Sequence, residues 1–165
     1  MGRDQDDAYV AFVALHSPRL LRSALLLTGR PEAAEDLVQT ALLRLYRHWP
    51  RVREGDPLAY VRRSMVNARR DWWRRRSWSE QPVGSVPETA APGDAPAAHA
   101  TRDAVARALA PLSRRERTIL VLRYCDDLSE RDVATLLGIS EGTVKSTASR
   151  ALAKVRLSPH LEVRP

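Results

Sequence analysis

Two stretches of this chain gather small hydroxyl, amide, aromatic and basic side chains along one face of a helix. In residues 140–157, SEGTVKSTASRALAKVRL, Val144, Ala148, Ala151 and Val155 recur with the 3.6-residue period of a buried stripe. Thr143, Ser146, Ser149 and Arg150 fall on the opposite side, Lys145 and Lys154 stand at its edges, and the helix carries no acid after Glu141. Small hydroxyls and cations on an outward face suit a helix in a duplex major groove, where Ser and Thr reach bases or phosphates and Arg grips a guanine edge. In residues 57–76, PLAYVRRSMVNARRDWWRRR, the inward stripe is Leu58, Val61, Met65, Ala68 and Trp72, and Tyr60, Arg63, Asn67, Arg70 and Arg74 line the other side. A ring that stacks, an amide that reads base edges and arginines that neutralise the backbone are the chemistry of single-strand capture. The loop Arg51–Asp56 heads this helix and is placed to build part of a pocket for a flipped base.

The elements that must position these faces are all helical. Alanine, leucine and arginine dominate and glycine is scarce, which favours an all-α fold. Three helices are expected before residue 77. The first runs from about Asp7 to Leu27 and is stopped by Thr28 and Gly29; the second runs from Pro31 to Trp49 and ends at Pro50; the third starts at Pro57 under an Asp56 cap and continues to about Arg76. The second has a buried stripe of Val38, Ala41, Leu42, Leu45 and Trp49, with Asp36, Gln39, Thr40, Leu43 and Arg47 outside. A leucine exposed among polar groups there suits a protein partner.

Four helices are expected after residue 101. A short one covers about Arg102 to Ala110, ended by Pro111, and a Ser113/Glu116 capping box opens a helix through Tyr124. Ser129 with Asp132 opens another that ends at Gly138, and Ser140 caps the last. Ala134, Gly138 and Val144 stand where a helix-turn-helix needs a small contact residue, a left-handed turn and a core plug. Val133, Leu136, Leu137 and Ile139 complete the expected core, and Cys125 is expected in it as well.

Between these groups, residues 77–101 hold Pro82, Pro87, Pro92 and Pro96 with no apolar periodicity, as expected of a flexible linker. The expected organisation is therefore two small helical domains, 6–76 and 102–158, joined by an acidic Pro/Ala linker, 77–101. The net charge of +7 divides accordingly. Residues 57–76 carry seven arginines against Asp71, residues 77–101 carry three acids and no Lys or Arg, and residues 102–165 carry twelve basic and eight acidic groups. Two basic blocks around an acidic connector point to two contacts with a polyanion. A solvated helix face is the plain alternative for either block taken alone.

The composition also excludes much. One cysteine rules out an internal disulfide framework and fits a reducing compartment. Asp4, Asp6 and Asp7 occupy the place of a signal peptide's basic region, and no apolar run approaches the roughly 20 residues of a membrane span, so the cytoplasm is the expected location. Few residues follow the last helix, so no large C-terminal domain is expected. His16, His48, His99 and His160 lack ligand spacing, and no phosphate loop or nucleophile motif is present, so no metal, cofactor or catalytic residue is expected.

In order, AEDLVQTALLRLYRHW, DPLAYVRRSMVNARRDWWRRR, the Pro/Ala linker, LSRRERTILVLRY and LSERDVATLLGISEGTVKSTASRALAKVR resemble the sigma-70 family. The likeness is to its minimal form with regions 2 and 4 only, the extracytoplasmic-function group, and especially its actinobacterial SigE-like branch. It implies a factor that binds core RNA polymerase, recognises −35 and −10 promoter elements and promotes melting, with an anti-sigma factor as a further candidate partner. It implies docking of Asp36 and Gln39 on the clamp coiled coil of the β′ subunit, where Thr40 replaces a common acid, with Leu43 on the same face. Tyr60, Arg63 and Asn67 match the stretch that engages the −10 element as it melts, and the last helix would read the −35 element. The helices around Arg114 to Tyr124 would pack near the β flap, and the linker would run through the polymerase cleft. Thr147 stands where arginine is common, so one −35 contact is expected to be missing or altered. Without the resemblance, a helix-turn-helix regulator with a helical dimerisation or sensor domain, or an adaptor or anti-sigma protein, competes for the same sequence. The regulator leaves the Arg51–Arg76 face unexplained, and the protein-only adaptor wastes both basic faces.

Overall fold

The computed structural model describes residues 3–76, 104–105 and 107–159, with backbone only for 3–5 and 70–76. The helices are α1 (Arg3–Thr28), α2 (Pro31–Val52), α3 (Pro57–Arg76), α4 (Arg114–Leu120) continued by a π-helical turn (Val121–Cys125), α5 (Glu130–Leu137) and α6 (Glu141–Arg156). No strand occurs among the described residues. The chain divides into two units, Met1–Ser85 and Val86–Pro165. The expected linker 77–101 lies outside the described residues.

In the first unit, α2 packs against both α1 and α3, while α1 meets α3 only sparsely. The seam is made by Leu20, Ala24 and Leu27 of α1, Leu37, Val38, Ala41, Leu45 and Trp49 of α2, and Val61 and Met65 of α3, all buried. Each fully buried leucine contributes about 1.5–3 kcal/mol relative to exposure. Gly29 ends α1 at φ 72°, its N–H donating to the Leu25 carbonyl at 2.7 Å, and Pro31 enters the first turn of α2 behind an extended Arg30. Asp56 caps α3 as expected, its Oδ1 accepting the Ala59 N–H at 2.9 Å.

Three expectations for this unit are corrected. Pro50 does not end α2, which continues to Val52 with the Arg53 N–H donating to the Trp49 carbonyl at 3.0 Å. A proline this close to the end forfeits a single ladder bond, and the Trp49 ring is held between Tyr9 and Phe12 at centroid distances of 5.4 and 5.6 Å. The buried side of α3 also takes in Arg62 and Arg69, 8% and 6% exposed, whereas Leu58 and Ala68 are half-buried; long arginine stems can be buried as apolar chains. Finally, by length and composition alone Asp6–Thr28, whose most apolar 18-residue window has a mean hydropathy of 1.3, passes for a membrane span. The averaged hydropathy survives the breaks at His16, Arg19 and Arg22 that interrupt an unbroken apolar run. Its Leu20, Ala24 and Leu27 are buried in the unit's core.

In the second unit, α4 and α5 both pack on α6. Both capping boxes form: the Ser113 and Ser129 hydroxyls accept from the backbone N–H groups of Glu116 and Asp132, whose carboxylates accept in return. Ser140 caps α6, accepting the Thr143 N–H at 3.2 Å. The half-buried Arg117 ties α4 back to the preceding turn, donating from Nη2 to the Leu109 carbonyl at 2.8 Å. The core comprises Leu112, Ile119, Leu120, Val121, Leu122, Val133, Ala134, Val144, Ala148 and Ala151 among others. Cys125 is not in it: the thiol is exposed, as is Tyr124. The wider π-turn buries Val121 and Leu122 and carries the next residues out to the surface, a change of phase that a 3.6-residue period misses.

Gly138 adopts φ 67° in the turn of the helix-turn-helix, and an added Cβ there would meet nothing within 4 Å. Backbone conformation alone therefore demands glycine. Gly138→Ala should destabilise the unit by about 1–2 kcal/mol. Gly142, equally unobstructed but within helical α6, should tolerate alanine with a gain of about 0.5–1 kcal/mol. Opposite signs in denaturant unfolding are the expected outcome; equal signs would contradict the turn assignment.

Candidate partner and nucleic-acid interfaces

Three faces are built on these helices. The first is the outer side of α2. Asp36, Gln39, Thr40 and Leu43, on one side of the helix, are all exposed and together line one hollow of ≈ 330 Å³ bordered by Thr28 and Arg69. Gln39 and Leu43 also line a second hollow of ≈ 460 Å³ shared with Tyr9 and Leu21 of α1. Leu43, 55% exposed, is thus an apolar ridge between two concavities. The Tyr9 hydroxyl donates to the Leu42 carbonyl at 2.9 Å, and burial, with Tyr46 beside it, raises the phenol's pKa. Leu21, Tyr9 and Arg69 belong to this surface but carry no signal in the periodicity of α2, because they reach it from other helices.

The second face lies at the head of α3. Tyr60 and Asn67 are half-buried and Arg63 is exposed. The Tyr60 ring stands 5.8 Å from that of His48 at a 37° tilt, and His48 Nδ1 lies 2.9 Å from the Arg44 carbonyl. His48 had no visible role in the sequence, since only the turn between α2 and α3 brings it here. The connecting loop is shorter than expected: Arg51 and Val52 remain in α2, leaving the exposed residues 53–56. The side chains of Arg70 and Arg74 lie outside the described residues, although the backbone of α3 extends past both.

The third face is the outer side of α6, where Lys145, Ser146, Ser149 and Arg150 are exposed. Arg150 Nε donates to the Ser146 carbonyl at 3.3 Å, laying the guanidinium along the helix. Thr143 is half-buried, and its hydroxyl lies 2.8 Å from that of Ser140 in the cap. Burial and pairing set two residues of α6 apart from these. Thr147 is 5% exposed, on the buried side with Val144, Ala148 and Ala151, so it does not occupy a groove-facing position; as the i+3 neighbour of Val144 it shares the inward stripe. Lys154 is paired inside the unit, its Nζ donating to Glu116 Oε1 at 2.7 Å. That hydrogen bond, followed by the one from the Ser113 N–H, lowers the Glu116 pKa.

No group of His, Cys, Asp and Glu able to hold a metal occurs among the described residues. The chain matches the family models for sigma-70 region 2 over residues 12–79 and sigma-70 region 4 over residues 102–155. It is 41% identical over 146 residues to the RNA polymerase sigma-E factor of Streptomyces coelicolor, covering 88% of this chain and 82% of that one. It is 38% identical over 151 residues to the ECF RNA polymerase sigma factor SigL of Mycobacterium tuberculosis, covering 87% and 84%. Among solved structures, the sigma factor RpoE in complex with the anti-sigma factor NepR from Bartonella quintana aligns with a TM-score of 0.74 at 25% identity, covering 95% of this chain and 98% of that one. CnrH in complex with the cytosolic domain of CnrY shares the fold, with a TM-score of 0.65 at 23% identity over 92% and 86% of the two chains.

Proposed function

This chain belongs to the sigma-70 family, in its extracytoplasmic-function group and close to the actinobacterial SigE-like branch, and from that premise we propose how its three faces divide the work of initiation. The protein binds core RNA polymerase, recognises the −35 and −10 promoter elements and promotes melting of the DNA. Its relatives are initiation factors, and its own work is binding. The match to region 2 sets aside an ordinary helix-turn-helix regulator, which accounts only for the C-terminal half.

Core polymerase docks on the α2 face, with Leu43 seated in the apolar centre and Asp36, Gln39 and Thr40 bonding around it. Tyr60, Arg63 and Asn67, with Arg70 and Arg74 further along α3, hold the unpaired −10 strand. Thr143, Lys145, Ser146, Ser149 and Arg150 of α6 face the −35 duplex, while Lys154, at the border of that face, is held by Glu116. The working domains are 6–76 and 102–158, the connector is 77–101, and the site of action is the cytoplasm, where the polymerase is. Two modest DNA contacts on one polymerase-bound chain act together through effective concentration, so neither must be strong alone. An anti-sigma protein is the further partner, by analogy with RpoE held by NepR.

The observation that carries this reading is that both family regions present polar and basic side chains outward from helices whose apolar stripes are buried. Asn67→Ala tests it on the melting side. The variant should bind core polymerase normally yet form fewer open complexes, as read by permanganate reactivity of unpaired thymines. A normal open-complex yield would remove Asn67 from strand capture.

A further inference from the structure

One carboxylate of the C-terminal unit serves partners on two helices. Glu116 stands in the first turn of α4, where its Oε2 accepts the Ser113 N–H at 2.8 Å and completes the capping box. Its Oε1 accepts from Lys154 Nζ, 38 residues away in the last turn of α6, at 2.7 Å. The glutamate side chain is 12% exposed and the lysine 51%, so the acid is fixed by the box while the ammonium sits at the water boundary. The contact is at the short end for a charge-assisted hydrogen bond. Lys154 shares its helix with the exposed Lys145, Ser146, Ser149 and Arg150. A cation in that place either neutralises a phosphate and releases a counterion or is neutralised beforehand by its own protein.

We propose that Glu116 withholds Lys154 from the phosphate contacts of α6 and thereby limits the sequence-independent grip of this unit on duplex DNA. The inference rests on α6 being the duplex-reading helix. A phosphate contact strengthens binding to every sequence alike. Withholding one shortens residence on non-promoter duplex and leaves discrimination to the side chains that face the groove. Glu116 is a positioning residue here, acting through Lys154.

The test is the salt dependence of binding by the full chain to a short duplex of mixed sequence, for the wild type, Glu116→Gln, Lys154→Met and the double variant. Glutamine keeps an acceptor for the Ser113 N–H, so the cap remains while the charge is lost. Glu116→Gln should steepen the slope of log K against log salt by about 0.9, the effect of one phosphate. Lys154→Met alone should leave the wild-type slope, and the double variant should return to it. An unchanged slope for Glu116→Gln overturns the proposal. So does a steepening that survives in the double variant, which would be a general field effect, and so does a shallower slope for Lys154→Met alone, which would put the lysine on DNA already. If Glu116→Gln loses helix content by circular dichroism, the Lys154→Met slope decides by itself. Lys145→Met reports on the underlying reading and should flatten the slope by about 0.9. If it does not, α6 is not the duplex reader; if the wild type fails to bind mixed duplex even at low salt, there is no sequence-independent grip to limit, and the proposal falls in either case.

Discussion

Replacing Leu43 by aspartate should cost the protein its grip on core RNA polymerase while leaving its fold intact. Leu43 is more than half exposed and stands between two hollows on the outer side of α2, so the folded chain gains little from its burial. Surface changes of this kind shift stability by about 0.5 kcal/mol or less. In the proposed complex with core polymerase the same side chain would be the apolar centre of a patch rimmed by Asp36, Gln39 and Thr40. Central, desolvated anchors of this kind carry about 2–4 kcal/mol each, or roughly thirty- to a thousand-fold in affinity. A carboxylate at the centre adds the cost of dehydrating a charge. Competition for core polymerase against the wild-type chain reads this directly, with the unfolding midpoint as the control. Wild-type affinity in the variant would move the docking surface away from α2.

Arg150→Ala should weaken binding of the −35 duplex by about 1–3 kcal/mol, the worth of a good bidentate contact to a base. The side chain is exposed, and its bond to the Ser146 carbonyl holds the guanidinium over the outer side of α6. The loss should be confined to duplexes carrying the −35 sequence, because a base contact adds nothing on mixed sequence. An equal loss on both would make Arg150 a phosphate contact, and unchanged binding on both would remove it from the interface.

The features that were legible in the sequence are local ones. Asp56, Ser113 with Glu116, Ser129 with Asp132, Ser140 and Gly138 mark helix ends through bonds or backbone angles within four residues, and each holds in the structure. The outward placement of Asp36, Gln39, Thr40 and Leu43 follows from the strong stripe on the other side of α2. What escaped depends on phase or on distance. Cys125 is exposed because a π-turn shifts the register, and Thr147 is buried because the inward stripe of α6 is wider than Val144, Ala148, Ala151 and Val155 suggest. Arg62 and Arg69 carry formal charges that mark them as surface, yet both are buried, where their stems can pack like aliphatic chains. The Tyr60–His48 ring pair and the Glu116–Lys154 contact join separate helices, and no periodicity within one helix reveals them.

The division of labour among these faces is tested most directly by reconstituting the chain with core RNA polymerase on fragments of its own genome. The complex should start transcripts at defined positions on a subset of fragments, with the DNA open around the −10 element, and core alone should start none of them. A chain that neither joins core nor directs initiation at any promoter would contradict the account.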